Sequence, residues 1–141
     1  MPIADMAALA ADCQDALDRL AERCPGLKWA CVATKDGIEV ASLGPAESGE
    51  KLSVMVGTML ALADGIVGEA DLGSCHDIIL AAEQGRIVIT GVKDPGGELV
   101  LACMTGLKTT LGMLVTSAAA ICAEIAALPS LAYREHELAA E

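Results

Sequence analysis

The sequence predicts a small mixed α/β domain, and three observations carry that reading. Apolar residues recur at three- and four-residue steps in three long segments, the spacing of helices. Five short runs rich in β-branched and aliphatic residues lie between them, bounded by Gly, Asp and Pro. Their order along the chain is helix, hairpin, helix, three strands, helix.

Residues 5–24 form the first expected helix. Met6, Leu9, Cys13, Leu17, Leu20 and Cys24 make one stripe, and Pro25-Gly26 stops it. Acidic residues come early and Arg19 and Arg23 late, as the helix dipole favours. Residues 28–35 and 38–43 flank Asp36-Gly37, a pair that suits a type I′ hairpin turn because both central residues of that turn need positive φ. The second helix is expected over 50–67, with Ser48 as its N-cap. Leu52, Val56, Met59, Leu60, Ala63 and Val67 make one face of it, and Met55, Leu62 and Ile66 a second. Asp64 is the only charge between Lys51 and Glu69. A helix apolar on two sides is expected to be covered on two sides, which implies a partner.

Strands are expected over 76–82, 86–92 and 98–104. Their short connections make neighbours antiparallel. Ile78-Ile79-Leu80, Ile87-Val88-Ile89 and Leu99-Val100-Leu101 are apolar at successive positions, so the sheet is expected to be covered on both faces. The last helix is expected over 109–128, capped by Thr109 and closed by Pro129. Its apolar length prompts a membrane check, but Thr116, Ser117, Glu124 and many Ala favour a helix outside the bilayer. One domain over 1–128 and a mobile acidic tail over 129–141 account for the chain.

Composition narrows the function. The 141 residues are 54% hydrophobic, with mean hydropathy +0.52, yet contain no Phe, one Trp and one Tyr. An aliphatic core in a domain of this size leaves apolar surface over, which points to an oligomer. The net charge of −11 opposes nucleic-acid and anionic-membrane binding. No Lys or Arg precedes Arg19 and no long apolar segment begins the chain, so a cytoplasmic location is expected; Pro2 stands where myristoylation needs Gly.

No catalytic group stands out, so no enzyme activity is expected. Six Cys lie in or beside apolar runs without C-x-x-C spacing, and His76 and His136 are far apart. Buried thiols are therefore expected rather than a metal site or disulfides. Gly106-Leu107-Lys108-Thr109 lacks the first Gly and the spacing of a phosphate-binding loop; Leu101 stands where that Gly should be. His76-Asp77 has no nucleophile placed to complete a triad. Arg86 and Glu98 are expected to pair on neighbouring strands, at little gain. No cofactor is expected.

Several short motifs carry a family likeness. Pro25-Gly26-Leu27 ends the first helix; Lys35-Asp36-Gly37-Ile38 turns the hairpin and is followed by Ala41-Ser42. Gln84-Gly85-Arg86-Ile87-Val88-Ile89 opens the fourth strand, and Leu111-Gly112-Met113-Leu114 the last helix. In this order and spacing, over residues 5–128, the chain resembles the roadblock/LC7 family, which includes dynein light chains, late-endosomal scaffold subunits and bacterial partners of small Ras-like GTPases. The absence of Phe and the acidic tail depart from it. The resemblance implies a single five-stranded antiparallel sheet in the order αββαβββα, with helix two on one face and helices one and three on the other. It also implies a homodimer made through helix two and the third strand. Met55, Met59, Leu62 and Ile66 on the helix and Ile79 and Ala81 on the strand would then form the dimer or partner face. The expected function is a non-enzymatic adaptor or regulatory platform that binds a small Ras-like GTPase. The alternative is a ligand- or redox-sensing domain that uses the cysteines or an aliphatic cavity.

Overall fold

The computed structural model describes residues 3–45, 49–94 and 96–131. Helix α1 spans Ile3–Arg23, and strands β1 and β2 span Leu27–Thr34 and Glu39–Leu43. Helix α2 spans Gly49–Glu69. Strands β3, β4 and β5 span Asp77–Ala81, Gly85–Gly91 and Leu99–Gly106, and helix α3 spans Leu111–Ala126. The five strands form one antiparallel sheet in the order β2-β1-β5-β4-β3. Each expected element is present, with ends that differ by one or two residues.

The alternation of side chains along a strand sorts the core into two layers. Ala30 and Val32 on β1, Val88 on β4 and Leu99, Leu101 and Cys103 on β5 point to one face. There they meet Leu9, Cys13, Leu17 and Leu20 of α1 and Leu114, Ala118, Ile121 and Ile125 of α3. The first helix's sequence stripe is this buried edge. Each Leu or Ile fully removed from water contributes roughly 1.5–3 kcal/mol before its ordering cost. Trp29, Cys31 and Ala33 on β1, Ile89 on β4, and Val100 and Ala102 on β5 point to the other face, where Val56 and Leu60 are the buried apolar side chains that α2 contributes. The α2 layer is much the thinner of the two.

α1 and α3 run antiparallel beside each other. Arg19 Nε donates to Glu124 Oε2 at 3.0 Å, and at the middle of α1 Asp12 Oδ2 accepts from Ser130 Oγ, just beyond α3, at 3.1 Å. Leu131 is buried against the same layer. Buried packing therefore continues into the first residues of the expected tail. The rest of the expected tail, with Tyr133 and His136, lies outside the described residues, as does Ser48.

The hairpin forms at the expected place with a different turn. Gly37 has φ +91°, but Asp36 is not in the left-handed region, and Asp71 is the only described non-glycine residue that is. Gly37 N donates to Thr34 O, Thr34 N to Ile38 O, and Ile38 N to Thr34 Oγ1. This is a three-residue loop ending in a left-handed glycine, the form that follows when one extra residue enters the connection. The ladder slips between Val32 and Ala33 to accommodate it.

Two capping arrangements tie the remaining connections. Thr110, not Thr109, caps α3 and accepts from Met113 N. Thr109 is held away from that role: its hydroxyl donates to Pro25 O and its carbonyl accepts from Arg86 Nη1 at 2.8 Å. Arg86 faces Thr105 across the sheet, at the opposite end of β5 from Glu98, so the expected Arg86–Glu98 pair is not formed. Between β4 and β5, buried Asp94 accepts from Gly96 N and Glu98 N through Oδ2 and from Leu99 N through Oδ1. Asp94→Ala leaves these amides without an acceptor and is expected to cost about 1–3 kcal/mol, read as a lower urea midpoint at an unchanged slope.

Among the described residues, only α2 is long and apolar enough to cross a bilayer, by length and composition alone. Its inner side packs on the sheet through Ser53, Val56, Gly57 and Leu60. The 16 residues of α3 span about 24 Å at 1.5 Å each, short of a hydrocarbon core of roughly 30 Å.

Candidate interaction face on the second helix and the edge strand

The inner side of α2 is fixed by close backbone approach. A Cβ on Gly57 would sit 2.6 Å from the Lys35 carbonyl oxygen, so the helix rests directly on the β1–β2 turn. Ser53 Oγ donates to Gly49 O, one turn back, and lies 4.0 Å from Cys31 Sγ. At the far end Asp64 Oδ1 accepts from Cys75 N at 3.0 Å, which anchors the loop that leads to β3.

With the inner side fixed, the outer side follows. Met55, Met59, Leu62 and Ile66 are spaced by four, three and four residues, which places them on one stripe. Their exposures are 64, 36, 60 and 69%. Met59 thus stands with Met55 on the outer side, not with Leu52 and Val56 as its sequence spacing suggested. Val54 beside them and Leu72 beyond the helix end are more than half exposed too. An exposed stripe of this kind is uncommon on a monomeric surface.

Next to this layer lies β3, an edge strand with a partner on one side only. The expectation of a sheet covered on both faces holds for the central β1 and β5, but not here: Ile79 is 46% and Leu80 36% exposed. Register shows which face each residue takes. Ile79 pairs with Val88, which belongs to the α1–α3 layer, so Ile79 and Ala81 point to that side. Ile78 and Leu80 pair with Ile89 and Ile87 and point to the α2 side. The six residues expected to share a face therefore fall on two surfaces, joined by the backbone edge of β3. Ile78 and Leu80 are the strand residues on the α2 side, and Leu80 is the more exposed of the two. Three consecutive apolar residues conceal this, because a run without alternation carries no information about which side is which.

The cysteines have the opposite character. Cys13, Cys24, Cys31 and Cys103 are buried, and Cys75 and Cys122 half-buried. Burial pushes the Cys13 thiol from the ordinary value of 9.0 up to about 12, Cys122 to about 12 and Cys31 to about 11. Burial raises Cys24, Cys75 and Cys103 as well. Such thiols hold almost no thiolate near neutral pH, so they are poor nucleophiles. A thiol reagent is expected to find Cys75 first and the others slowly in the native chain, and all six within one fast phase in denaturant. The shifts also set a pH dependence. Below pH 9 the thiols are protonated in both states and the contribution is constant. From about pH 9 to 12 the unfolded chain loses protons that the folded chain keeps, so stability falls as pH rises.

A cavity of about 600 Å³ opens where β3 begins, lined in part by Asp64, Cys75, His76, Asp77, Thr90 and Cys122. Its polar groups are turned to structural work. Thr90 Oγ1 donates to the His76 carbonyl, and Cys75 Sγ donates to the Asp77 carbonyl rather than meeting the imidazole. No group of three or more His, Cys, Asp or Glu among the described residues is placed to hold a metal ion.

The Roadblock/LC7 domain model matches residues 13–105, from α1 through β5. No curated protein matches the sequence. Among solved structures, Myxococcus xanthus MglB superposes with a TM-score of 0.74 at 17% identity, covering 83% of this chain and 86% of that one. A Roadblock/LC7 domain from Streptomyces avermitilis gives 0.71 at 15% identity, covering 79% and 92%. An MglB with a tetrameric arrangement gives 0.74 at 12% identity, covering 84% and 88%. These likenesses are to the fold, a single five-stranded antiparallel sheet between α2 and the α1–α3 pair. The chain belongs to the Roadblock/LC7 domain family.

Proposed function

We propose that this chain is a non-enzymatic cytoplasmic adaptor that assembles as a homodimer through α2 and the β3 edge and presents the joined surface to a small Ras-like GTPase. One observation carries the reading: the outer stripe of α2 exposes Met55, Met59, Leu62 and Ile66 beside an unpaired apolar edge. A second copy related by a two-fold axis would cover both at once, since a self-complementary patch and an open strand edge suit an isologous contact. Membership of a family that includes bacterial partners of small GTPases supports the class of partner. The redox-sensing alternative finds no support in thiols that burial holds protonated.

The outer stripe carries no arginine. Arg19 is engaged by Glu124, and Arg86 by the Thr109 carbonyl at the far end of β5. From this stripe, any effect on hydrolysis would act by ordering the GTPase's own residues rather than by inserting an arginine. The test is capture from native lysate with this protein as bait, in parallel with GDP and with a non-hydrolysable GTP analogue, followed by reconstitution with the purified GTPase. A small GTPase enriched in one nucleotide state, and binding again when purified, is the expected result. Recovery of the bait's own chain alone in both samples would remove the GTPase from the account.

A further inference from the structure

The outer face of α2 sets two thioethers in the open. Met55 and Met59 lie one turn apart on it, while the six thiols are wholly or half buried. Oxidation of cysteine proceeds through the thiolate, which burial suppresses here. A thioether has no proton to lose, so its reactivity follows access alone. An oxidant that meets the separated chain therefore finds Met55 and Met59 open while Cys13, Cys24, Cys31 and Cys103 are buried, and finds them on the surface proposed for assembly.

We propose that Met55 and Met59 form an oxidant-responsive switch on this face, in which a hydroperoxide converts both to sulfoxides and so prevents assembly. This rests on the homodimer reading above. In the step, a sulfur lone pair attacks the terminal peroxide oxygen and the O–O bond breaks. An S–O bond forms, and the leaving oxygen takes a proton as water or an alcohol. Sulfur loses two electrons and the peroxide gains them. The new oxygen is a strong acceptor; Leu62, one turn from Met59, has no side-chain donor to offer it, whereas Lys51 and Thr58 lie one turn from Met55. At a two-fold seam the two Met59 oxygens would be buried among apolar side chains, and those of Met55 would add polar bulk to the contact, which opposes association. In the separated chain the stripe is open, so oxidant reaches it in that form and traps it there. Met113 on α3, 45% exposed and outside this face, serves as an internal control.

The test treats the purified full chain with millimolar hydrogen peroxide. Oxidation is mapped by peptide mass spectrometry, and assembly is followed by sedimentation. Expected are gains of about 16 Da at Met55 and Met59 before any change at cysteine, and a rise of about tenfold or more in the dimer dissociation constant. The Met55→Leu/Met59→Leu variant keeps the apolar stripe and is expected to stay dimeric after the same treatment, although Met113 is oxidised. Methionine sulfoxide reductases for both stereoisomers are expected to restore association of the treated protein. A dimer undisturbed by complete oxidation of both residues overturns the switch alone. So does dissociation that the double variant fails to prevent, or thiol oxidation that comes first. An untreated chain that stays monomeric at all concentrations overturns the homodimer reading itself, and the switch with it.

Discussion

Met59→Glu is expected to prevent the proposed homodimer from forming and to leave the folded chain intact. Met59 sits at the middle of the outer stripe, 36% exposed in the single chain, so a carboxylate there reaches water in the monomer. Glu and Met have similar helix propensity and similar length, so the carboxylate can extend to water from a site already 36% exposed. Stability of the separated chain should therefore shift by less than about 0.5 kcal/mol. In the proposed two-fold assembly the new charge would be buried among the apolar side chains of the stripe. The dissociation constant is expected to rise about 100-fold or more, the equivalent of roughly 2.7 kcal/mol. Sedimentation over a concentration series reads the effect, and circular dichroism confirms the fold. Met113→Glu, an exposed change on α3, should alter neither. A folded Met59→Glu protein that remains dimeric would take α2 out of the assembly face.

The second large effect concerns the fold beneath that face. Gly37→Ala is expected to destabilise the chain by about 2–4 kcal/mol. Two penalties coincide at this position. The φ of +91° suits glycine alone, and an added Cβ would stand 2.8 Å from the Val54 Cα, on the helix backbone itself. Neither the turn nor α2 can yield without lifting the helix off the sheet, where Gly57 holds it equally close to Lys35. For a chain of 141 residues the melting temperature should fall by roughly 10 °C. Gly112→Ala is the contrast. Its Cβ meets nothing within 4 Å on an exposed part of α3, and the change should be neutral or stabilising by up to about 1 kcal/mol. Equal losses in both variants would show that close packing of the hairpin against α2 is not what limits stability.

The two variants separate what is local from what is assembled. A chain weakened at Gly37 presents α2 poorly and loses partner binding as a consequence of instability. A chain changed at Met59 keeps its fold and loses the contact directly. Comparing them at one temperature, with the folded fraction known, distinguishes a failed platform from a failed surface.

The first helix was legible residue by residue. Leu9, Cys13, Leu17, Leu20 and Cys24 recur at helical spacing, and all are buried. The antiparallel sheet could be read from short connections, and the αββαβββα order from where periodicity changes. The hairpin's position was visible in Asp36-Gly37, but its turn type was not, since the same pair suits a two-residue and a three-residue loop. Thr109 and Thr110 are equivalent as cap candidates in sequence; the bond from Thr109 to Pro25 O, made across 84 positions, decides between them. Leu131 gave no signal beyond Pro129, because what buries it is α1, far away in the chain.

The interaction face divides along the same line. Sequence alone determined that α2 has more apolar surface than one sheet can cover, since that is a matter of which residues the helix carries. Only the tertiary structure decided which side stays open. Gly57 and Gly37 allow the helix to settle on the β1–β2 turn, and that contact turns Met59 outward with Met55, Leu62 and Ile66. Likewise the composition of Ile78-Ile79-Leu80 announced a strand, while its place at the end of the order β2-β1-β5-β4-β3 made it an edge. Apolar character is a property of the side chains present; exposure depends on what packs against them, and here those neighbours come from distant parts of the chain.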